Sequence, residues 1–233
     1  MGRPGITIMT DAYNAQTLHR LLAWMSPSFP IGAFTYSHGL ETMVEDGVVR
    51  DLPSLTLWIE DVMRLGAGWT DGLILRRAWE QAEDIVELND LALALQPTKE
   101  RRLEASAQGT AFMKTVQDAW PWPGSGGVAL SDGGEIAYPV AVGCTARGHD
   151  LLLRPVLLGY QHAFAANLVS AGVRLVPLGQ TDGQRALAAL EPTIAGLVEE
   201  ILAADPDDLG GIAFAADIAS ARHESLHTRL FRS

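Results

Sequence analysis

Hydrophobic residues recur every three or four positions along most of the chain, which is the spacing of helices that bury one face. Strand-like alternation is nearly absent. The pattern therefore predicts an all-α protein, a single-domain helical bundle of about ten helices. The clearest predicted helices are Leu52–Leu65 and Lys99–Ala119. Others are predicted after Asn14, from Thr70 and Asn89, and over residues 137–147, 151–171, 182–190, 192–204 and 212–221.

Proline, glycine and helix-capping residues divide this pattern. Thr98 is a predicted N-cap, and Pro192 is predicted to open a helix of its own. Residues 121–134 read PWPGSGGVALSDGG, a composition typical of a loop. We therefore expect a flexible N-terminal segment at residues 1–12 and one helical domain over residues 13–233 with an internal loop near 121–134.

Composition narrows the classes of function. The chain has 233 residues, is 48% hydrophobic and carries 17 Lys+Arg against 28 Asp+Glu, a net charge of -11 that opposes binding to phosphate backbones. The single cysteine, Cys144, cannot form an internal disulfide. No window of about 18 uncharged apolar residues predicts a membrane span. These features predict a cytoplasmic protein that binds neither nucleic acid nor membrane.

Motifs for catalysis or for tight metal binding are not evident. The only two lysines, Lys99 and Lys114, do not follow a glycine, so the phosphate-binding sequence Gly-Lys-[Ser/Thr] is missing. His223 and His227 are four residues apart, would share a helical face and could chelate a metal, but no third ligand with characteristic spacing accompanies them. We predict no enzyme activity, no cofactor and no metal site. A nickel-binding carrier and a small helical enzyme with an unrecognised site remain as alternatives.

Two segments stand out from the helical pattern. Residues 26–41 read SPSFPIGAFTYSHGLE, where prolines and glycines impose a defined kink between helices. The chain ends in HESLHTRLFRS, a basic and apolar tail on an acidic protein. Together with residues 168–175 and 177–184, these segments resemble, in order, motifs of the UreF family of urease accessory proteins. The resemblance runs from about Leu21 to Ser233.

The resemblance implies an all-helical homodimer that acts as a non-catalytic adaptor. Members of the family bridge the scaffold protein UreD, also called UreH, and the GTPase UreG, and the assembly inserts nickel into apo-urease in a GTP-dependent step. Regulation of the GTPase is a further implied role. The missing phosphate-binding loop agrees with a GTP-using step carried by a partner.

The matched motifs also suggest which residues mediate assembly. An exposed Leu230 and Phe231 between arginines would be costly to leave in water, so we expect the tail to fold on docking to a partner. Structural roles are the alternatives for some of these positions: a core anchor for Tyr36, a helix-end hydrogen bond for Gln184 and a solvated charge for Arg229. The predicted assembly residues are Tyr36, Glu41, Gln184, Arg229, Leu230 and Phe231.

Overall fold

The computed structural model describes residues 15–81, 84–125 and 134–232. The predicted N-terminal segment, the proposed cap Asn14 and residues 126–133 of the predicted loop lie outside these ranges. Within them the chain forms ten α-helices and no strand, which confirms the all-α prediction. The helices are Ala15–Trp24 (α1), Leu40–Glu45 (α2), Leu52–Leu65 (α3), Ala67–Glu80 (α4), Ile85–Ala94 (α5), Lys99–Ala119 (α6), Tyr138–Gly148 (α7), Leu153–Leu175 (α8), Gln180–Ala203 (α9) and Phe214–His223 (α10).

Local capping chemistry sets the ends of the best-predicted helices. α3 begins at a capping box in which the Asp51 side chain accepts from the Ser54 backbone N–H, while the Ser54 hydroxyl accepts from the Asp51 N–H. α6 begins where the Thr98 hydroxyl accepts a hydrogen bond from the Arg101 N–H at 3.2 Å. Both helices have the predicted bounds, and Thr98 is the predicted N-cap.

Two predicted helix starts are wrong, because these polar side chains bond to other parts of the chain. Thr70 lies inside α4, and its hydroxyl accepts from the backbone N–H of Gly211 at 3.0 Å. Asn89 lies inside α5, which Asp84 caps instead. The Asn89 amide donates to the Glu135 carbonyl and accepts from the Ala137 N–H, so it satisfies the backbone that leads into α7.

The two helices predicted on either side of Glu191 form one helix, α9, with Pro192 in its interior. Proline cannot donate to the carbonyl four residues earlier, which belongs to Ala188. Ala188 and Pro192 both lie on the exposed side of α9, where water can take the place of the missing donor. The helix therefore tolerates a residue that would break a buried one.

α8 is the central helix, as its apolar sequence predicts, and it contacts α1, α2, α3, α4 and α9. α4 and α7 approach closely because Gly143 faces the backbone of α4, where a Cβ atom would lie 2.5 Å from the Leu75 carbonyl oxygen. α10 packs on α2 at one end of the bundle. None of the described helices is long and apolar enough to cross a membrane.

Candidate functional site

The residues after α10, which we call the tail (residues 224–232), turn back onto the bundle. The turn starts with hydrogen bonds from the Ser225 and Leu226 amides to the carbonyls of Arg222 and His223. The tail ends with a hydrogen bond of 2.7 Å from the Arg232 amide to a carbonyl of the N-terminal motif. Five residues hold it and are called here the tail seat: Thr35, Glu41, Glu100, Arg174 and His223.

Glu41 holds the tail by its backbone. One carboxylate oxygen, Oε1, accepts from the Leu230 amide at 2.7 Å, and the other, Oε2, accepts from the Phe231 amide at 3.0 Å. Charged acceptors make stronger hydrogen bonds than neutral ones, so a single side chain fixes two consecutive peptides of the tail. Glu41 is the last residue of the kinked motif and lies in the first turn of α2.

The side chains of the tail complete the attachment. Phe231 is 3% exposed, and the guanidinium of Arg174 from α8 lies 4.4 Å from the centre of its ring. The same guanidinium donates to the Phe34 carbonyl at 2.8 Å. Arg229 donates to Glu100 of α6 at 2.8 Å. Three of the four motifs found in the sequence therefore meet at one place.

His223 joins the two carboxylates of the seat. Its Nε2 atom lies 3.0 Å from Glu41 Oε2, and its Nδ1 atom lies 2.8 Å from Glu100 Oε2. The imidazole is fully buried, and the two carboxylate side chains are 11% and 13% exposed. The ring thus connects α2, α6 and α10 next to the two carboxylates that bind the tail.

The structure brings together four of the predicted assembly residues: Glu41, Arg229, Leu230 and Phe231. The expectation that Phe231 is exposed until a partner binds is wrong, because the tail buries this ring on its own chain. Leu230 remains 62% exposed, and Arg229 is partly exposed beside it. The partner-binding role of these residues stays a prediction.

The other two predicted assembly residues have different surroundings. Tyr36 is buried in the motif, as a core anchor would be. Gln184 is exposed on α9, and within the described part of the chain no hydrogen bond or ion pair connects it to the tail seat. Their roles in assembly also stay predictions.

A second cluster of ionisable groups lies behind the N-terminal motif. Arg101 donates to the Glu104 carboxylate and to Nε2 of His38, and that nitrogen also lies 3.0 Å from Glu104 Oε1. Nearby, Asp71 accepts a hydrogen bond of 2.9 Å from the Tyr160 hydroxyl. These side chains are all buried, so we call His38, Asp71, Arg101 and Glu104 the buried ionic cluster.

Burial and the arginine charge divide the protonation states within this cluster. Burial, aided by the Arg101 charge, lowers the pKa of His38, so the ring is neutral. Burial alone would raise the pKa of Glu104, but the charge and hydrogen bond of Arg101, together with the contact to His38, outweigh burial and bring that pKa to about 2. Burial raises the pKa of Asp71 to about 6. The cluster therefore combines a permanent ion pair with a carboxyl group that can titrate near neutrality.

A cavity of about 360 Å³ lies between the N-terminal motif and this cluster. Its walls are apolar and aromatic, with Phe29 and Phe34 from the motif and Phe164 from α8, while Arg101 and Glu104 contribute to its polar lining. The kinked motif thus contributes to two features of the structure. One part of it lines the cavity, and the part near Thr35 and Glu41 binds the tail.

Sequence reasoning missed the buried ionic cluster. Arg101 and Glu104 belong to the stretch KERRLE, which reads as the solvated start of a helix. Their spacing of three positions was a usable signal, because residues at i and i+3 share a helical face. No feature of the sequence indicated that this face points into the core.

The structure separates the two histidines that were predicted to share a helical face. α10 ends at His223, so His227 lies beyond the helix and the expectation of a shared face is wrong. Among the described residues no group of three or more His, Cys, Asp or Glu side chains could hold a metal ion. His38 and Glu41 are three positions apart in the sequence, yet His38 contacts Glu104 of the buried ionic cluster and Glu41 contacts His223 of the tail seat.

Comparisons with known proteins identify the family of the chain. The UreF family model matches residues 49–191. The chain is 48% identical to the urease accessory protein UreF of Rhodopseudomonas palustris (strain BisA53), with 97% of this chain and 100% of the relative covered. It is 47% identical to the protein of the same name from Methylobacterium radiotolerans, with 92% and 96% covered. A Bradyrhizobium relative (strain BTAi1), also named UreF, is 42% identical, with 99% and 98% covered. The chain belongs to the UreF family of urease accessory proteins.

Proposed function

We propose that this chain is a non-catalytic adaptor in urease maturation. It bridges the scaffold protein UreD/UreH and the GTPase UreG, works as a homodimer in the cytoplasm, and supports GTP-dependent nickel insertion into apo-urease. The observation that carries the proposal is the docked tail, which presents Leu230 and Arg229 outward while Phe231 and its peptide bonds anchor it. The names of the relatives support the accessory role.

The outer surface of the docked tail has the chemistry of a protein interface. Leu230 and Phe34 are both more than 60% exposed, and each is within two residues of one end of the hydrogen bond between Arg232 and Thr35. Arg229 and Arg232 flank Leu230 in the sequence. Exposed apolar groups beside arginines are typical of binding hot spots, and they suit a partner surface with an apolar pocket and carboxylates around it.

This chain lacks a phosphate-binding sequence, which supports a role in which a partner protein, and not this chain, uses the GTP. Neither lysine of the chain can complete that sequence, so we expect the purified protein to hydrolyse no GTP by itself. A GTPase assay on the chain alone and on its mixture with UreG tests this expectation. Hydrolysis by the isolated chain would contradict the non-catalytic role.

Co-elution in size-exclusion chromatography tests the adaptor role directly. The full chain should elute with UreD/UreH, and the pair should then retain UreG. Leu230→Asp places a charge at the proposed contact and should abolish retention of at least one partner. Leu57→Asp is the matched control, because Leu57 is equally exposed on α3, away from the tail. Deletion of residues 228–233 should act as Leu230→Asp does, and complete co-elution after that deletion would contradict the docking role.

A further inference from the structure

The cavity behind the N-terminal motif has the size and the walls of a small-molecule site. Its volume of about 360 Å³ lies within the range of ligand pockets. The faces of aromatic rings attract cations, and aromatic rings from several helices form much of this wall. They belong to Trp24, Phe29, Phe34, Tyr138, Tyr160 and Phe164. The wall therefore favours an apolar or cationic occupant over an anionic one.

The charged side chains of the same wall leave one negative charge without a direct partner. Arg101 and Glu104 form an ion pair with each other, so their charges offset one another. Asp71 is buried, and its carboxylate accepts a hydrogen bond from the neutral Tyr160 hydroxyl. Among the described residues no Lys, Arg or His side chain forms an ion pair with Asp71, so the uncompensated charge of the cavity is negative.

Asp71 carries this charge at a cost to the fold. Burial raises its pKa to about 6, although the charge of Arg101 acts in the opposite direction. At about pH 8 the carboxyl group is ionised, so the folded state is less stable than it would be with a neutral side chain. A charge that destabilises the fold beside a cavity is typical of a binding site, where a ligand supplies the missing partner.

We propose that this cavity binds a small organic cation, an alkylammonium or alkylguanidinium group on an apolar stem. The cationic group pairs with Asp71, and the stem lies among the aromatic rings. These two elements are adjacent, because the Tyr160 ring bonds to Asp71 through its hydroxyl and lies 5.3 Å from the Tyr138 ring. The Tyr138 hydroxyl has no hydrogen-bond partner among the described residues and can accept from the ligand. The proposed adaptor role does not require this site.

Isothermal titration calorimetry on the isolated full chain tests the site with three probes of similar shape and different charge. At about pH 8, phenethylammonium should bind about tenfold more tightly than the anion phenylpropionate and the neutral phenethyl alcohol. Equal affinities for the three probes, or no measurable binding of phenethylammonium, would overturn the proposal.

Two variants separate the charge of Asp71 from a general effect on the fold. Asp71→Asn keeps the shape of the side chain and removes its charge, so the affinity for phenethylammonium should fall about tenfold. This variant should be more stable than the wild type at about pH 8, so unfolding would not explain the loss. Asp61→Asn, on the exposed side of α3, is the matched control. An unchanged affinity in Asp71→Asn, or an equal loss in Asp61→Asn, contradicts the proposal.

Fluorine NMR locates the bound probe. The chain contains four tyrosines, so fluorotyrosine gives a simple spectrum, and Tyr138→Phe identifies the Tyr138 signal. Phenethylammonium at a saturating concentration should shift this signal, and the same concentration should shift it much less in Asp71→Asn. A Tyr138 signal that does not move when the calorimetric site is full would show that the probe binds elsewhere, and would overturn the proposal.

A free amine and a Lys or Arg side chain of a partner protein share this chemistry, and co-elution with UreD/UreH and UreG distinguishes them. Retention that is lost in Asp71→Asn but kept in Asp61→Asn supports a partner's side chain as the ligand. Retention that both variants keep supports a free amine. The cation site and the adaptor role fail separately, because calorimetry on the isolated chain decides the first and co-elution of the wild type decides the second.

Discussion

The tail seat and the buried ionic cluster contain the same chemical groups and differ in where the arginine comes from. Each has one histidine and two carboxylates, and an arginine pairs with one of the carboxylates. In the buried ionic cluster this arginine is Arg101, which belongs to α6 and is buried with its partners. At the tail seat it is Arg229, which belongs to the tail and is 42% exposed, since the seat's own arginine, Arg174, binds the Phe34 carbonyl and the Phe231 ring instead. The charges of the buried ionic cluster all belong to residues buried in the bundle. The charges at the tail seat include one from the tail, a segment that can detach from the bundle.

The two histidines therefore have different surroundings. Burial, together with the Arg101 charge, lowers the pKa of His38, and Arg101 itself pairs with Glu104. Among the described residues, no arginine of a core helix forms an ion pair with either carboxylate of the tail seat, and the His223 ring lies between them. We infer that one cluster stabilises the fold and that the other controls the position of the tail.

Removing the arginine of the buried ionic cluster should have the largest effect. Arg101→Met keeps the length of the side chain but leaves Glu104 buried without its cation, and breaking a buried ion pair costs about 3–5 kcal/mol. We expect this loss in the free energy of unfolding, measured by urea denaturation. Arg102→Met is the control, because Arg102 is the next residue of α6 but its side chain is half exposed and weakly paired with Glu135. That change should cost less than about 1 kcal/mol. Equal losses would mean that the buried pair is not a structural element.

The contact between α2 and α10, which supports the tail seat, gives the second prediction. Gly39 and Gly47 both have positive φ angles, but only Gly39 faces another helix, where a Cβ atom would lie 2.7 Å from the Ser220 nitrogen. Gly39→Ala should therefore cost about 1–3 kcal/mol more than Gly47→Ala in urea unfolding, because overpacking adds to a backbone strain that both variants share. Equal losses in the free energy of unfolding would show that α10 moves to accommodate the added methyl group. The tail seat would then be less rigid than the structure indicates.

Sequence reasoning was successful where local chemistry decides the structure. The bounds of α3 and α6 follow from hydrophobic spacing and from side chains that cap the helix they precede, as Thr98 does. It failed where a polar side chain forms a hydrogen bond with a distant part of the chain. Thr70 and Asn89 look like caps in the sequence, yet they bond to backbone more than 40 residues away. Such long-range partners leave no local pattern.

The candidate site was predictable only in part, for the same reason. Glu41, Arg229, Leu230 and Phe231 were found through motif resemblance, but the sequence did not indicate that they meet on one chain. Whether Phe231 or Leu230 faces the water depends on where Arg174 of α8 lies, and that is a property of the fold.

Asp71 gives the third prediction, which concerns pH. Its folded-state pKa of about 6 lies above the ordinary value of 3.8, so the folded state favours the protonated form. The stabilising contribution is complete at low pH and is lost as the pH rises through about 6. Asp71→Asn mimics the protonated form and should be more stable than the wild type by about 1–2 kcal/mol at about pH 8, with no gain at about pH 4. Asp61→Asn, on the exposed side of α3, is the control for the substitution itself. A gain that is equal at both pH values would contradict this explanation.

Two neighbouring residues of the tail give the last prediction, with the smallest effect on global stability. Leu230 is exposed and Phe231 is buried, so Leu230→Ala should change the free energy of unfolding by less than about 0.5 kcal/mol. Phe231→Ala should reduce the hydrogen-exchange protection of the Arg232 amide, yet lower the global free energy by no more than about 1 kcal/mol, because the tail can leave while the helices stay folded.

Phe112 supplies the reference for this last comparison, since it is fully buried in the core. Phe112→Ala should cost about 3–5 kcal/mol, the usual loss for a phenylalanine of the core. If Phe231→Ala cost as much, the tail would unfold only together with the bundle. The tail seat would then be as permanent as the buried ionic cluster, and the distinction between a structural and a releasable set of charges would fail.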